Sequence, residues 1–280
     1  MVVMADADLD RAAKDAVDFS LANCGQVCCA VERVYVAKSV APAFEQRVLE
    51  HAKAYVAGDG LDAASMIGPM VSEMQRKVVH RHVQAAVSAG ATCLLGGQMP
   101  PASRAGTFYP PTVLARIPHD AVEITQEETF GPVVALYNFD GDDETAVKLA
   151  NDSTYGLTAS VYSGDLSRAS RIASRLSAGQ VGINNNPLSG ARSIASPFVG
   201  HKRSGYGSHS GTDGWRQFST PKTLIYTEPP AAKALPTMAA PLPPTAAAAE
   251  AANALPPSHV AAITIAAVAV GAGLALSLRR

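Results

Sequence analysis

Apolar positions in the first 227 residues fall into two rhythms: short runs that are continuous or alternate, and stretches that repeat at helical spacing. MVVM opens as a short strand. Asp8 is placed to cap a helix to about Ala22, with Leu9, Ala12, Ala13, Ala16, Val17 and Leu21 on one side. A polar turn from Asn23 to Gln26 follows, then a cysteine cluster, then the alternating run VERVYVAK as a strand. Pro42 begins a helix, APAFEQRVLEHAKAYVAG, closed by Gly58. A second helix runs from about Ser72 to Ser88 and leads into the strand ATCLLGG. Further strands are predicted at PTVLARI, PVVALYNF, TASVYS and QVGIN, with helices near 142–151 and 165–177. This alternation predicts an α/β fold with a mostly parallel, doubly wound sheet. A last strand, TLIYTE at 223–228, follows no crossover helix of ordinary length and predicts pairing with another subunit or domain.

The rhythm stops after that strand. Residues 228–258 are rich in Pro and Ala, with no aromatic residue and almost no charge, and predict an extended linker. Val260 to Leu278 carries no charge across nineteen residues and is closed by Arg279 and Arg280. A helix of that length, at about 1.5 Å per residue, crosses most of a bilayer core. Three regions result: 1–227 as the α/β domain, 228–258 as linker, and 259–280 as a transmembrane tail anchor that leaves the domain facing the cytosol.

Charge changes this picture little. Charged residues make up 17% of the chain, the net charge is −1, and the basic residues are scattered, so nothing directs the chain to nucleic acid. The four cysteines are more informative. Cys24, Cys28 and Cys29 crowd into six positions, and Cys93 stands apart. Near-adjacent cysteines make a poor disulfide framework, and the opening MVVMADADLD is too short and too acidic for a secretory leader. A reducing compartment is the natural reading. A metal site is not expected, because Cys-x3-Cys-Cys lacks a second pair of ligands at zinc spacing.

The candidate chemistry lies in Asn23-Cys24-Gly25-Gln26-Val27-Cys28-Cys29-Ala30, where a helix ends. A thiol becomes nucleophilic on ionising, and backbone N–H groups in a turn favour the thiolate and the oxyanion formed by its attack. Gly25 lets the chain turn tightly beside it. Buried, inert packing is the competing reading of such cysteines. A second segment, Glu127-Glu128-Thr129-Phe130-Gly131-Pro132, puts Glu128 one hundred positions after Cys28. Two more follow: Asn151-Asp152-Ser153-Thr154-Tyr155-Gly156-Leu157, and Pro197-Phe198-Val199-Gly200-His201-Lys202-Arg203-Ser204-Gly205-Tyr206-Gly207.

Taken together, these four segments resemble the aldehyde dehydrogenase superfamily, specifically its C-terminal, catalytic half, over residues 1 to about 227. The first is similar to the family's Asn-x-Gly-Gln-x-Cys signature, so the resemblance implies that Cys28 is the nucleophile, flanked by Val27 and Cys29 at the substrate pocket. The second implies that Glu128 accepts from the nicotinamide ribose hydroxyls and that Phe130 packs by the ring. The fourth places Phe198 near the substrate tunnel, with Val199 where the family has a glycine. Asn184 matches an asparagine near the active site, and it and the last two segments are expected to be mainly architectural.

The implied reaction is oxidation of an aldehyde to a carboxylic acid with NAD or NADP, through a thiohemiacetal and a thioester on Cys28. The family's N-terminal cofactor-binding half, with its phosphate loop, its Glu-Leu-Gly-Gly general-base segment and its oxyanion asparagine, is expected to lie outside this chain. Two functional expectations follow. One is an oxidoreductase. The other is a non-catalytic, membrane-tethered module that associates with full-length dehydrogenase subunits or with copies of itself, through the strand at 223–228.

Overall fold

The computed structural model describes residues 1–186 and 195–227. Within 1–221 a seven-stranded sheet is built from β1 (Val2–Val3), β2 (Val34–Ala37), β3 (Thr92–Leu95), β4 (Thr112–Ala115), β5 (Val133–Phe139), β7 (Thr158–Tyr162) and β8 (Gln180–Ile183). A short β6 (Tyr155–Gly156) precedes β7 outside the sheet. The sheet order is β3-β4-β5-β2-β1-β7-β8. Every neighbouring pair is parallel except β3 with β4. The mixed α/β, mostly parallel sheet expected from the alternation of elements is therefore present.

Helices cover both faces. On one side lie α1 (Leu9–Leu21) and α2 (Ala41–Lys53), which bury Ala12, Ala16, Val17, Phe44 and Val48 against Val36, Val134 and Leu136. On the other lie α3 (Glu73–Ser88), α5 (Asp143–Asn151) and α6 (Leu166–Ala173), which bury Val79, Val83, Ala146 and Ile172 against Tyr35, Ala135 and Tyr137. A short α4 (Val122–Gln126) precedes the loop into β5. Coverage of both faces explains why all four residues of β2 are buried, although its sequence alternates at its start.

Local chemistry sets the helix starts. The Asp8 side chain accepts from Arg11 N–H, Ser72 from Gln75 N–H, and Asp142 from Thr145 N–H, each satisfying a donor that the first turn leaves unpaired. Three boundaries differ from expectation. The helix from Ala41 ends at Lys53 rather than near Gly58, because Val56 and Gly58 bond instead to Met66, Ile67 and their neighbours. The helix near 165–177 ends at Ala173, where Ser174 to Leu176 tighten into turns and Ser177 N–H is taken by the Asn151 side chain. The strand expected from Val31 begins only at Val34.

The last strand, expected to pair with another subunit or domain, has no pairing among the described residues. The chain divides after Pro221, and in the second unit residues 222–227 carry no strand. Leu224, Ile225 and Tyr226 are exposed there. An extended segment needs a partner edge for its backbone N–H and C=O groups, and these residues have none among the described residues. The linker at 228–258 and the membrane anchor at 259–280 lie outside the described residues. Among the described residues no helix is long and apolar enough to cross a membrane.

Candidate active site

The turn that carries the thiols is held in an unusual backbone path. Asn23, Cys24 and Gly25 are all left-handed, with φ of 50°, 59° and 71°. Two of the three are not glycine, so surrounding contacts must hold them there. Asn23 Nδ2 donates to Gln26 O at 3.0 Å, and Gln26 Oε1 accepts from Val71 N–H at 2.8 Å. Gln26 Nε2 also donates to Pro69 O at 3.4 Å. The Asn and Gln of the signature are thus braces. Gly25 has no room for a side chain: a Cβ there would stand 2.0 Å from Gly131 O. The cysteine turn therefore packs backbone to backbone against the loop that follows Glu128.

Four cysteines meet four environments. Cys28 is exposed, in a turn closed by Ala30 N–H donating to Val27 O at 2.9 Å. Among the described residues its own N–H donates no hydrogen bond. Cys29 is buried, 3.7 Å from Cys28 sulfur to sulfur, and burial, then the neighbouring Cys28, pushes its thiol up to about 12. Cys24 is fully buried against Met70 Sδ at 3.6 Å, and burial pushes it up to about 12 as well. Cys93 is exposed on β3, with its thiol raised by partial burial.

These environments predict an order of reaction. At pH 8 iodoacetamide should modify Cys28 first and Cys93 second. A thiol at about 12 is ionised there in only about one molecule in ten thousand, so Cys24 and Cys29 should lag far behind. Peptide mass mapping against time reads this directly, and equal modification of all four would show that the turn does not single out Cys28.

Cys28 and Glu128 open on one cavity of about 210 Å³, together with Glu32, Arg33, Tyr155 and Ser160. Among the described residues Glu128 makes no hydrogen bond or ion pair, and partial burial raises its carboxyl above the usual glutamate range. Val27, Cys29, Phe130 and Phe198 do not line this cavity. Phe130 follows Glu128 closely, in the left-handed region at φ 48°. Phe198 lies on β9 (Phe198–Val199), its ring stacked on His209 with centroids 4.7 Å apart. The cavity sits at the amino ends of β1, β2 and β7, opposite the strand ends at which doubly wound sheets ordinarily bind ligands.

The other two segments brace each other. β10 (His201–Lys202) pairs antiparallel with β6, Lys202 Nζ donates to Asn151 O at 2.8 Å and Ser153 O at 2.9 Å, and Gly156 N–H donates to Ser204 Oγ at 3.0 Å. Asn184 ties the end of β8 to β7 by bonding both backbone groups of Ser163, at 2.9 and 2.8 Å. These bonds brace the two segments and strand β8, while Asn151, Tyr155, Gly156, Leu157 and Ser204 also line the cavity. Sequence reasoning missed Glu32 and the α3 residues Gln75 and His82, which hold the 127–131 loop. The available signal was a Glu-Arg pair inside the run VERVYVAK, which reads from the sequence only as an alternating strand.

Fold and site together define an α/β domain that presents an accessible thiol and a carboxylate, unpaired among the described residues, on one cavity, both carried by loops that enter the sheet. The chain belongs to the aldehyde dehydrogenase family, whose profile matches residues 1–224. It is 40% identical over 228 residues to a succinate-semialdehyde dehydrogenase of Paenarthrobacter nicotinovorans, covering 81% of this chain and 49% of that protein. It is 39% identical over 225 residues to a betaine aldehyde dehydrogenase of Rhizobium etli, covering 80% of this chain and 45% of that protein. The crystal structure of an NAD-dependent aldehyde dehydrogenase from Sinorhizobium meliloti superposes with a TM-score of 0.73 at 36% identity, covering 78% of this chain and 42% of that one. The chain thus spans about half the length of the curated relatives it matches.

Proposed function

We propose that this chain carries the thiol chemistry of an NAD(P)-dependent aldehyde oxidation, with Cys28 as nucleophile and Glu128 as the contact to the nicotinamide ribose. The observation that carries the reading is the shared cavity of an exposed thiol and a carboxylate that is unpartnered among the described residues. The residues fit the cofactor on chemical grounds: an ionised carboxylate only accepts hydrogen bonds, and a ribose diol offers two donors. When bound, NAD or NADP supplies the acceptor for the hydride that leaves the substrate carbon.

The chain's own residues account for the rest of its share. The Cys28 thiolate adds to the aldehyde carbon, forming a C–S bond and a thiohemiacetal oxyanion. The Cys28 N–H, which donates no hydrogen bond among the described residues, is the donor available to stabilise that oxyanion. Loss of hydride leaves a thioester on Cys28, and water cleaves its C–S bond to release the carboxylic acid and the thiol. The test is to mix the purified chain with NAD or NADP and an aldehyde panel that includes succinate semialdehyde and betaine aldehyde. The expected results are protection of Cys28 from alkylation by the aldehyde and, once a chain carrying the cofactor-binding half is added, appearance of reduced nicotinamide absorbance. Absence of both overturns the reading.

A second reading is favoured by the exposed Leu224, Ile225 and Tyr226: the chain associates with full-length dehydrogenase subunits, or with copies of itself, by lending residues 223–227 to a sheet edge. Co-purification with a full-length dehydrogenase, without aldehyde oxidation by the chain alone, is its expected signature. Residues 259–280 are proposed as a membrane anchor on the sequence argument, joined by 228–258 to a cytosol-facing domain. Deleting 259–280 should move the protein from the membrane pellet to the supernatant on fractionation. Retention in the pellet ends the anchor reading.

A further inference from the structure

One carboxylate outside all four family-like segments joins the cysteine segment to the Glu128 loop. Glu32 lies four positions after Cys28, just before β2. Its Oε2 accepts from Thr129 N–H at 3.0 Å and its Oε1 from Phe130 N–H at 3.0 Å. These are consecutive amides, and they come immediately after Glu128. Two donors on one planar group fix the direction of the peptide between them as well as its distance. The same loop is gripped from α3, where Gln75 Nε2 donates to Thr129 O at 3.0 Å and His82 Nδ1 stands 3.2 Å from Thr129 Oγ1. Phe130, at φ 48°, is held in a conformation that such constraints make persistent.

We propose that Glu32 is a positioning residue: it sets the Glu128–Phe130 loop against the segment that bears Cys28, and so fixes where the Glu128 carboxylate stands in the shared cavity. Its functional consequence rests on the reading of Glu128 as the ribose contact; the clamp itself rests on the two hydrogen bonds. The chemistry requires an ionised glutamate. A carboxylate accepts on both oxygens, whereas Glu32→Gln sets an NH2 donor against a backbone N–H and loses one bond. Protonation loses the same bond. The charged or titratable groups facing Glu32 are Glu128, Arg33 and Tyr137. Burial and then Glu128 raise its carboxyl, the two amides and Arg33 oppose this, and the balance lies above the usual glutamate range. The clamp is therefore complete while the carboxylate is ionised and loosens as pH falls through that raised value.

The experiment uses the 280-residue chain. Amide hydrogen exchange should show protection at Thr129 and Phe130 falling by about tenfold or more in Glu32→Gln, with β5 amides within about twofold of wild type. Wild-type protection at those two amides, corrected for intrinsic rates, should also drop on acidification, and Glu32→Gln should flatten that profile. Unchanged protection at 129–130, or an equal loss across β5, overturns the proposal. If Glu32→Gln does not fold, Glu32→Asp, which keeps the charge on a shorter arm, gives the same readout. Reduced nicotinamide mononucleotide, followed by its fluorescence, then tests the consequence. Weaker binding by both Glu32→Gln and Glu128→Gln is expected, and wild-type affinity in Glu32→Gln overturns the positioning role. No binding even by wild type, with the local exchange effect intact, sinks the cofactor reading of Glu128 and leaves the clamp in place.

Discussion

Cys28→Ala is expected to remove aldehyde-dependent formation of reduced nicotinamide and to abolish preferential capture of an electrophilic aldehyde analogue, while leaving the fold intact. The loss should be on the order of 10³-fold or more, since no other thiol among the described residues lines the cavity. Cys29 cannot substitute: it is buried, its thiol is raised to about 12, and it does not line the cavity. Cys28→Ser should be almost as inactive, because a hydroxyl is not ionised near neutral pH. Stability should change by about 0.5 kcal/mol or less, since Cys28 is exposed and, among the described residues, its side chain touches the core only through the 3.7 Å sulfur contact with Cys29. The result separates chemistry from architecture: activity and labelling collapse while the thermal midpoint stays in place. Retained turnover in Cys28→Ala would reassign the nucleophile.

Much of the domain was legible wherever the controlling physics is local. Asp8, Ser72 and Asp142 cap their helices with their own side chains, so their starts could be read from a few residues. Strands β4, β5, β7 and β8 were visible as apolar runs between turns. What failed was long-range. The helix from Ala41 stops at Lys53 because residues near Ile67 claim the backbone beyond it. The strand order, with β1 between β2 and β7, depends on crossovers whose destinations the sequence does not state. The site shows the same division. Cys28 and Glu128 were found by resemblance, but Glu32 makes its contacts 97 and 98 positions away, and its place in an alternating run made it look like an ordinary solvent-facing strand residue. The position of the cavity at the amino ends of the strands could not be derived from alternation either, because that pattern gives the layers of a fold and not which end carries the site.

Gly25→Ala should be the most damaging single methyl group in the cysteine turn. Two separate costs add. The residue stands at φ 71°, where a Cβ costs about 1–2 kcal/mol. The Cβ would also lie 2.0 Å from Gly131 O and 2.3 Å from Gly131 C, which are backbone atoms that cannot rotate away. Relieving that overlap requires the turn and the loop to separate, at a further cost of about 1–3 kcal/mol. Together these predict a loss of about 2–5 kcal/mol and a fall in the thermal midpoint of roughly 5–15 °C. The consequence for function is sharper than the loss of stability. Gly25 belongs to the Cys28 turn and Gly131 to the Glu128 loop, so the two halves of the cavity share this contact. Pushing them apart should slow Cys28 capture and weaken nicotinamide binding together, even at temperatures where the variant remains folded. Gly68→Ala is the control, since a Cβ there meets nothing within 4 Å and φ is not in the left-handed region. Should Gly25→Ala melt with wild type and label at the same rate, the turn and the loop are not in direct contact, and the cavity that unites Cys28 with Glu128 would have to be rebuilt from other contacts.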